Sequence, residues 1–406
     1  MSDLADASQT SDAQPLTHSA ALVDGPVDVR GALELERCEA GWVPRRLPVW
    51  TRAQYANSGI EDMVVQPSGV RLAFRTAATA LELDVLATHG VWQGDPEPQH
   101  TAGFDLVVDG RVAAAGQTST QGNLVFFNDA GETGRRAGAP ATVAFTGLPA
   151  AEKDVEIWLP HHTRIEVIAL RADAPITAPA ATAAPRWVHH GSSISHCHAA
   201  ERPTETWPVV AARLAGVEVV NLGFGGEAQA DPFTARSIRD LPADLISLKL
   251  GINLVNHDTF RGRGFVPAVH GFLDTIREGH PDIPLLIVSP IICPAVEDRP
   301  GPTVADPGRA DLWFISLTDP AELEQDRLSL GLIRGLLERI VAQRSADDPN
   351  LFYLDGRELF GAGDLADLPD NLHPNAAGYR RMGERFAQLV FGPEGPFGKA
   401  VAPRGR

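Results

Sequence analysis

Lysine is nearly missing from this chain of 406 residues. Lys153, Lys249 and Lys399 are the whole complement, set against 52 acidic residues and a formal net charge of −17. An acidic chain without a basic patch is repelled by phosphate backbones and by anionic bilayers, which weighs against nucleic-acid and membrane partners. Small neutral substrates are untouched by that argument. Cysteine is as scarce: Cys38, Cys197 and Cys293 are odd in number and widely separated. This argues against a disulfide framework and fits a reducing compartment. No apolar run approaches the ~20 residues that span a bilayer, and the longest candidate, Leu285–Cys293, is interrupted by Ser289 and Pro290. The opening Met1-Ser2-Asp3-Leu4 has acid and polar groups where a secretion signal carries Lys or Arg before an apolar stretch, so the expectation is cytoplasmic.

Several catalytic signatures are absent too. There is no Cys-x-x-Cys and no His-Glu-x-x-His, and Ser195 occupies the last glycine position of the Gly-x-Ser-x-Gly elbow. His189, His190, His196, Cys197 and His198 raise zinc hydrolysis as an alternative. Adjacent side chains such as His189 and His190 point to opposite faces of a strand, which disfavours a shared metal. The expectation is no metal and no cofactor.

What is present is organised in segments. The length suggests two domains. Residues 1–26 are rich in Ser, Asp, Ala and Thr without hydrophobic period, and read as a disordered leader. Residues 27–171 show short alternating runs at Val70–Phe74, Leu81–Leu86, Phe104–Val108, Val143–Phe145, Val155–Leu159 and Ile165–Leu170. With Asp109-Gly110 as a type I′ hairpin turn, they imply an all-β sandwich of jelly-roll kind. Residues 172–185 hold three prolines among small residues and read as an extended linker. Residues 186–396 alternate strands with helices, including Trp207–Ala215 and 376–390, and imply an α/β domain with a parallel sheet covered on both faces. Residues 397–406 read as a flexible tail.

In a parallel sheet the ligand sits beyond the carboxyl ends of the strands, where four clusters fall. They are His189-His190-Gly191-Ser192-Ser193-Ile194-Ser195, Asn221-Leu222-Gly223-Phe224-Gly225-Gly226-Glu227, Gly251-Ile252-Asn253 and Asp370-Asn371-Leu372-His373-Pro374. In that order, they resemble the SGNH (GDSL-like) hydrolase superfamily, in which a Ser, a Gly, an Asn and a His arrive on a flavodoxin-like sheet. The resemblance covers about residues 186–392. It implies a three-layer α/β fold with Ser193 as nucleophile, Gly226 and Asn253 as oxyanion donors beside the Ser193 N–H, and Asp370 with His373 as the base pair. Gly-Asp-Ser-Leu is replaced here by Gly191-Ser192-Ser193-Ile194, which leaves the choice of serine to be tested. A sandwich followed by such a domain looks like two-domain bacterial esterases and like acyltransferases of polyketide tailoring.

The chemistry of the residues agrees. A serine hydroxyl needs a neighbouring imidazole to take its proton, and that imidazole needs an acceptor to fix its tautomer. Pro374 keeps His373 out of helical geometry, in a loop with Asp370. Each residue has a plainer reading: Ser193 as a helix cap, Asn221 and the glycines as turn formers, Asn253 as a cap, Asp370 as a solvated acid. Asp355 is the substitute acid. The long segment Pro290–Asp326, with Trp313, Phe314 and Leu317, is either a lid or a surface excursion. The expected activity is ester hydrolysis through an acyl-enzyme, on a small-molecule or carbohydrate ester. Alternatives are acyl transfer in secondary metabolism, metal-dependent hydrolysis, or carbohydrate binding by the β domain.

Overall fold

The computed structural model describes residues 16–401, except positions 94, 96, 97, 99, 100, 119, 129 and 130. Two β-sheets form from the alternating sequence of the N-terminal part. Lys153–Trp158 lies inside a six-stranded sheet, between Arg71–Thr76 and Gly103–Val108, with Ile157 opposite Leu72 on one side and Leu106 on the other. The eight-stranded sheet is built around Leu81–Trp92 and its antiparallel neighbour Arg164–Ala172. Leu72, Phe74, Leu106 and Ile157 of the first sheet are buried in one cluster with Leu83, Val85, Val167 and Leu170 of the second. Two sheets sharing one core make a sandwich. The Asp109-Gly110 turn has the positive φ pair of type I′, +47° and +77°, joining Gly103–Val108 to Arg111–Gln117.

Three segments differ from expectation. Within the expected leader, His18–Ala20 is a strand antiparallel to Leu170–Ala172, and Ala20 and Leu22 are buried. The short alternation was too brief to show a period; residues 1–15 lie outside the described residues. The 172–185 segment begins as sheet, since Ile176–Thr177 pairs with Arg75 and Thr76. At the other end Phe397 is buried against Phe391 at 5.7 Å and Gly398–Val401 is helical, while 402–406 lie outside the described residues. The Phe397 side chain is held by apolar burial that composition alone did not signal.

After Arg186 the period changes and five parallel strands form: β1 (Arg186–Gly191), β2 (Glu218–Gly223), β3 (Leu245–Lys249), β4 (Leu285–Val288) and β5 (Leu351–Leu354). Their order is β2-β1-β3-β4-β5, the doubly wound flavodoxin-like order. All four residues of β4 are fully buried, as a strand covered on both faces requires. Between and after these strands come the helices α1 (Ser193–His196), α2 (Trp207–Ala215), α3 (Pro232–Asp240), α4 (Ile252–Asn256), α5 (Gly262–Gly279), α6 (Leu330–Arg344) and α7 (Ala376–Val390), ahead of the short Gly398–Val401 turn of helix. On one face Trp187 of β1 packs on Phe386 of α7 at 5.0 Å; on the other His190 stacks on Phe272 of α5 at 5.8 Å. Among the described residues no helix is long and apolar enough to cross a membrane.

The two parts are fused by side chains. Leu47, Ile60, Val64, Val107 and Trp158 belong to the same buried cluster as the strands of the parallel sheet. Arg30 and Arg71 both pair with Glu218 at the start of β2, and buried Asp105 accepts from the Thr204 hydroxyl at 2.5 Å. In a doubly wound sheet of this order all strands run the same way and the strand order reverses between β1 and β3, so their connections leave to opposite faces and open a crevice at the carboxyl ends.

Candidate active site

The turn leaving β1 separates the two serines. Ser192 is extended and caps α1, its Oγ accepting from the Ile194 N–H at 3.3 Å. Ser193 is therefore the first helical residue, and its Oγ lies 3.0 Å from His373 Nε2. The cap reading falls to Ser192.

His373 stands in the loop before α7, whose start is set by Asn375 accepting from the Gly378 N–H at 2.9 Å. Asp370 Oδ2 accepts from His373 Nδ1 at 2.7 Å, and Oδ1 accepts from the backbone N–H groups of Leu372 and His373 at 2.9 and 2.6 Å. Because the carboxylate only accepts, the Nδ1 proton is fixed and Nε2 is left to accept from Ser193. Burial works to raise the Asp370 carboxyl, but the imidazole bond and the two N–H donors prevail and hold it below the usual carboxylate value.

Gly226 follows β2 with φ +74°, a conformation open to glycine at little cost. Asn253 is the second residue of α4 and is buried; its Oδ1 accepts from the Ala228 N–H at 3.1 Å, which fixes the amide. The sharp entry into α4 needs Gly251, at φ +132°, where a Cβ would sit 2.7 Å from Pro290. Ser193, Gly226, Asn253, Asp370 and His373 all line one cavity of about 550 Å³.

Sequence reasoning missed part of the wall. Met63, from the N-terminal part, and His257, at the end of α4, also line the cavity. Neither has a local pattern to reveal it. The 290–326 segment is anchored to the site: Thr303–Ala305 pairs with Phe314–Ser316, and the Phe314 N–H donates to the Asp370 carbonyl at 2.9 Å. The Phe314 ring meets His373 edge-on at 5.8 Å, and Leu312 adds to the wall. Trp313 instead lies under Arg309 at 4.8 Å, and Leu317 is 73% exposed.

The other histidines have separate partners. His189 sits between Ser247 Oγ at 2.7 Å and Ser195 Oγ at 2.8 Å, while His190 Nδ1 faces the Leu222 carbonyl at 2.8 Å. Burial pushes His190 down to about 4, so it stays neutral. Among the described residues, no three His, Cys, Asp or Glu side chains are grouped to hold a metal ion. Asp355 is tied to Arg357 at 2.6 Å and does not line the cavity.

A doubly wound sheet with a serine, an imidazole and a carboxylate in hydrogen-bonded series at its strand ends defines a class, the enzymes of acyl-ester chemistry. Comparisons place the chain within it. Residues 190–381 match the model of the GDSL-like Lipase/Acylhydrolase family, and residues 27–168 match the model of the SsfX3 N-terminal domain. Residues 190–381 form a domain of the GDSL-like (SGNH) lipase/acylhydrolase family behind an N-terminal β-sandwich, and the protein is an ester hydrolase or acyltransferase. Among solved structures it is similar to the salicylyl-acyltransferase SsfX3 from a tetracycline biosynthetic pathway, at 28% identity, TM-score 0.74, covering 91% of this chain and 95% of that one. A GDSL-like lipase candidate from Bacteroides ovatus ATCC 8483 is 18% identical with TM-score 0.62, covering 89% and 94%. A family two carbohydrate esterase from Clostridium thermocellum, in complex with cellohexaose, is 12% identical with TM-score 0.52, covering 80% and 92%. The last two are likenesses of fold. No curated protein matches the chain.

Proposed function

We propose that Ser193 is the nucleophile of this enzyme, with His373 as its base and Asp370 as the group that orients the base. The observation that carries the reading is the unbroken series Ser193 Oγ, His373, Asp370, at 3.0 and 2.7 Å, on the wall of the cavity. As Ser193 Oγ attacks the ester carbonyl, His373 Nε2 takes its proton, and Asp370 stabilises the imidazolium. The carbonyl oxygen becomes an oxyanion, received by the N–H groups of Ser193 and Gly226 and by Asn253 Nδ2. His373 returns the proton to the departing alkoxide, leaving an acyl-enzyme. The same base then activates the acceptor that releases the acyl group.

The test is a panel of p-nitrophenyl esters from acetate to octanoate, run on wild type and Ser193→Ala in parallel. Wild-type cleavage with a dead variant is the expected result; equal rates would remove Ser193 from the reaction. Asn253→Ala is expected to lower kcat by roughly 10²- to 10³-fold with a near-native fold. A loss below about threefold would take Asn253 out of the oxyanion site.

The substrate is proposed to be a small-molecule ester or an acylated carbohydrate, with water as acceptor. A second reading, transfer to an alcohol in secondary metabolism, is favoured by the 28% identity to a salicylyl-acyltransferase across both domains. The two separate on partition: added alcohol captures the acyl group as new ester if transfer holds, and only free acid forms if hydrolysis holds. Met63 and Phe314 suggest a pocket shaped by both the sandwich and the 290–326 segment. We place the domain boundary in residues 172–185, and the chain in the cytoplasm, where its three free thiols are at home.

A further inference from the structure

Arg46 is a buried arginine whose hydrogen-bond partners among the described residues include no carboxylate. It comes from the N-terminal part, is 0% exposed, and its guanidinium reaches into the catalytic part. It donates to the carbonyls of Asn221 at 3.1 Å and Gly223 at 2.6 Å, to the Met63 carbonyl, and to His196 Nδ1 at 3.1 Å. The Phe224 ring lies 5.0 Å from its centre. An arginine can only donate, so His196 Nδ1 accepts and the imidazole is neutral. Burial, reinforced by the Arg46 charge, holds His196 well below its ordinary value.

Each of these acceptors belongs to a segment that carries part of the site. Asn221 and Gly223 end β2 and lead directly into Phe224-Gly225-Gly226. His196 ends the helix that Ser193 begins. Met63 lines the cavity. A second layer of bonds closes the network: Ser68 Oγ donates to the His196 carbonyl at 2.9 Å, and Asn221 Nδ2 reaches Ser68 Oγ at 3.0 Å and the Ser195 carbonyl at 2.9 Å.

Apolar side chains would join two domains without the desolvation that an interior cation suffers. They could not hold four acceptors from three segments at fixed mutual positions. Burial pushes the guanidinium down to about 9, still charged at neutral pH, and its compensation comes from carbonyl and imidazole lone pairs and the face of Phe224. We infer that Arg46 is a positioning residue, supplied by the N-terminal domain, which sets the Gly226 loop and the nucleophile helix in register with each other. This rests on the serine reading above, and it makes the sandwich part of the catalytic apparatus by a route other than substrate contact.

The test uses the full chain with Arg46→Ala and Arg46→Lys. For Arg46→Ala, kcat per folded molecule falls about 10- to 100-fold while KM stays within about threefold, because misplaced donors lose the transition state more than the substrate. Guanidinium at about 20 mM restores kcat at least about fivefold and urea at the same concentration does not; a protein that had merely lost stability would be restored by neither, since at that concentration each leaves stability almost unchanged. In Arg46→Lys, which keeps the charge but not the fork, amide exchange quickens in residues 193–197 and 223–226 and stays unchanged in β4. That arm needs no activity and stands if Arg46→Ala does not fold. A kcat within about threefold of wild type, a loss that guanidinium does not repair, or exchange unchanged in those two segments would each overturn the proposal. A wild type that cleaves no ester and leaves Ser193 unlabelled by phosphonates would sink the serine reading, with the exchange arm still deciding for Arg46.

Discussion

Ser193→Ala is expected to lower ester cleavage by about 10⁴-fold or more, whereas Ser192→Ala keeps most of it. The two hydroxyls sit one residue apart and differ in employment. Ser192 Oγ is committed to the Ile194 N–H, and its removal costs about 1 kcal/mol of capping at a short buried helix. That loss lowers Tm without touching the proposed nucleophile. Ser193 Oγ has His373 Nε2 as its partner at 3.0 Å, so in the proposed mechanism its removal leaves the base with nothing to activate. A serine-directed phosphonate labels Ser193 stoichiometrically, and EDTA leaves the rate unchanged. The reverse ranking of the two variants would shift the register by one residue. Inactivation by EDTA that zinc restores, with Ser193 unlabelled, would reinstate the metal alternative.

The residues of the candidate site were legible because they fall where the hydrophobic period breaks. Leu285–Val288 and Leu351–Leu354 are continuous apolar runs, Leu245–Lys249 is apolar but for Ser247 and Lys249, and α2 and α7 carry clear helical stripes, so the strand ends between them could be located. Asn253 and the Asp370–His373 pair sit at those breaks. Helix α3 is faint in the sequence although Asp231 and Pro232 mark its start, because its buried stripe is short and interrupted by Arg236 and Arg239. Helix α6 begins at Leu330 although Leu328 is also apolar, since Ser329 caps it through the Leu332 N–H at 3.2 Å.

The contacts between the two parts were illegible for a different reason. Arg46 and Gly223 are 177 residues apart, and nothing local to either sequence marks the pairing. Met63 reaches the cavity from a six-residue helix, Gly59–Val64, that has too few turns to show amphipathic period. Periodicity reports which face of an element is buried and is silent on what covers it. The sandwich keeps a core of its own, while Leu47, Val107 and Trp158 lie in the buried cluster of the catalytic part, which nothing in the alternation of their segments announces.

Asp370→Asn is expected to lower kcat/KM by about 10⁴-fold while Ser193 stays in place. The asparagine oxygen still accepts from the Leu372 and His373 N–H groups, so its Nδ2 turns toward His373 Nδ1 and donates. Nδ1 must then accept, the proton moves to Nε2, and the imidazole has no lone pair for the Ser193 proton. Asp355→Asn keeps wild-type rates, since that carboxylate is bound to Arg357 and lies off the cavity wall. The pH dependence of stability gives a second readout. Burial alone would raise the Asp370 carboxyl, yet the His373 and backbone bonds hold it below the usual value. A depressed folded value means the native state binds fewer protons than the unfolded chain, so the contribution is full above about pH 4 and is lost as pH falls through the folded value. The Tm difference between wild type and Asp370→Asn should accordingly be largest near neutrality and shrink in acid. A Tm difference that stays constant from about pH 7 to pH 3 would mean that the carboxylate of Asp370 is not the partner holding His373.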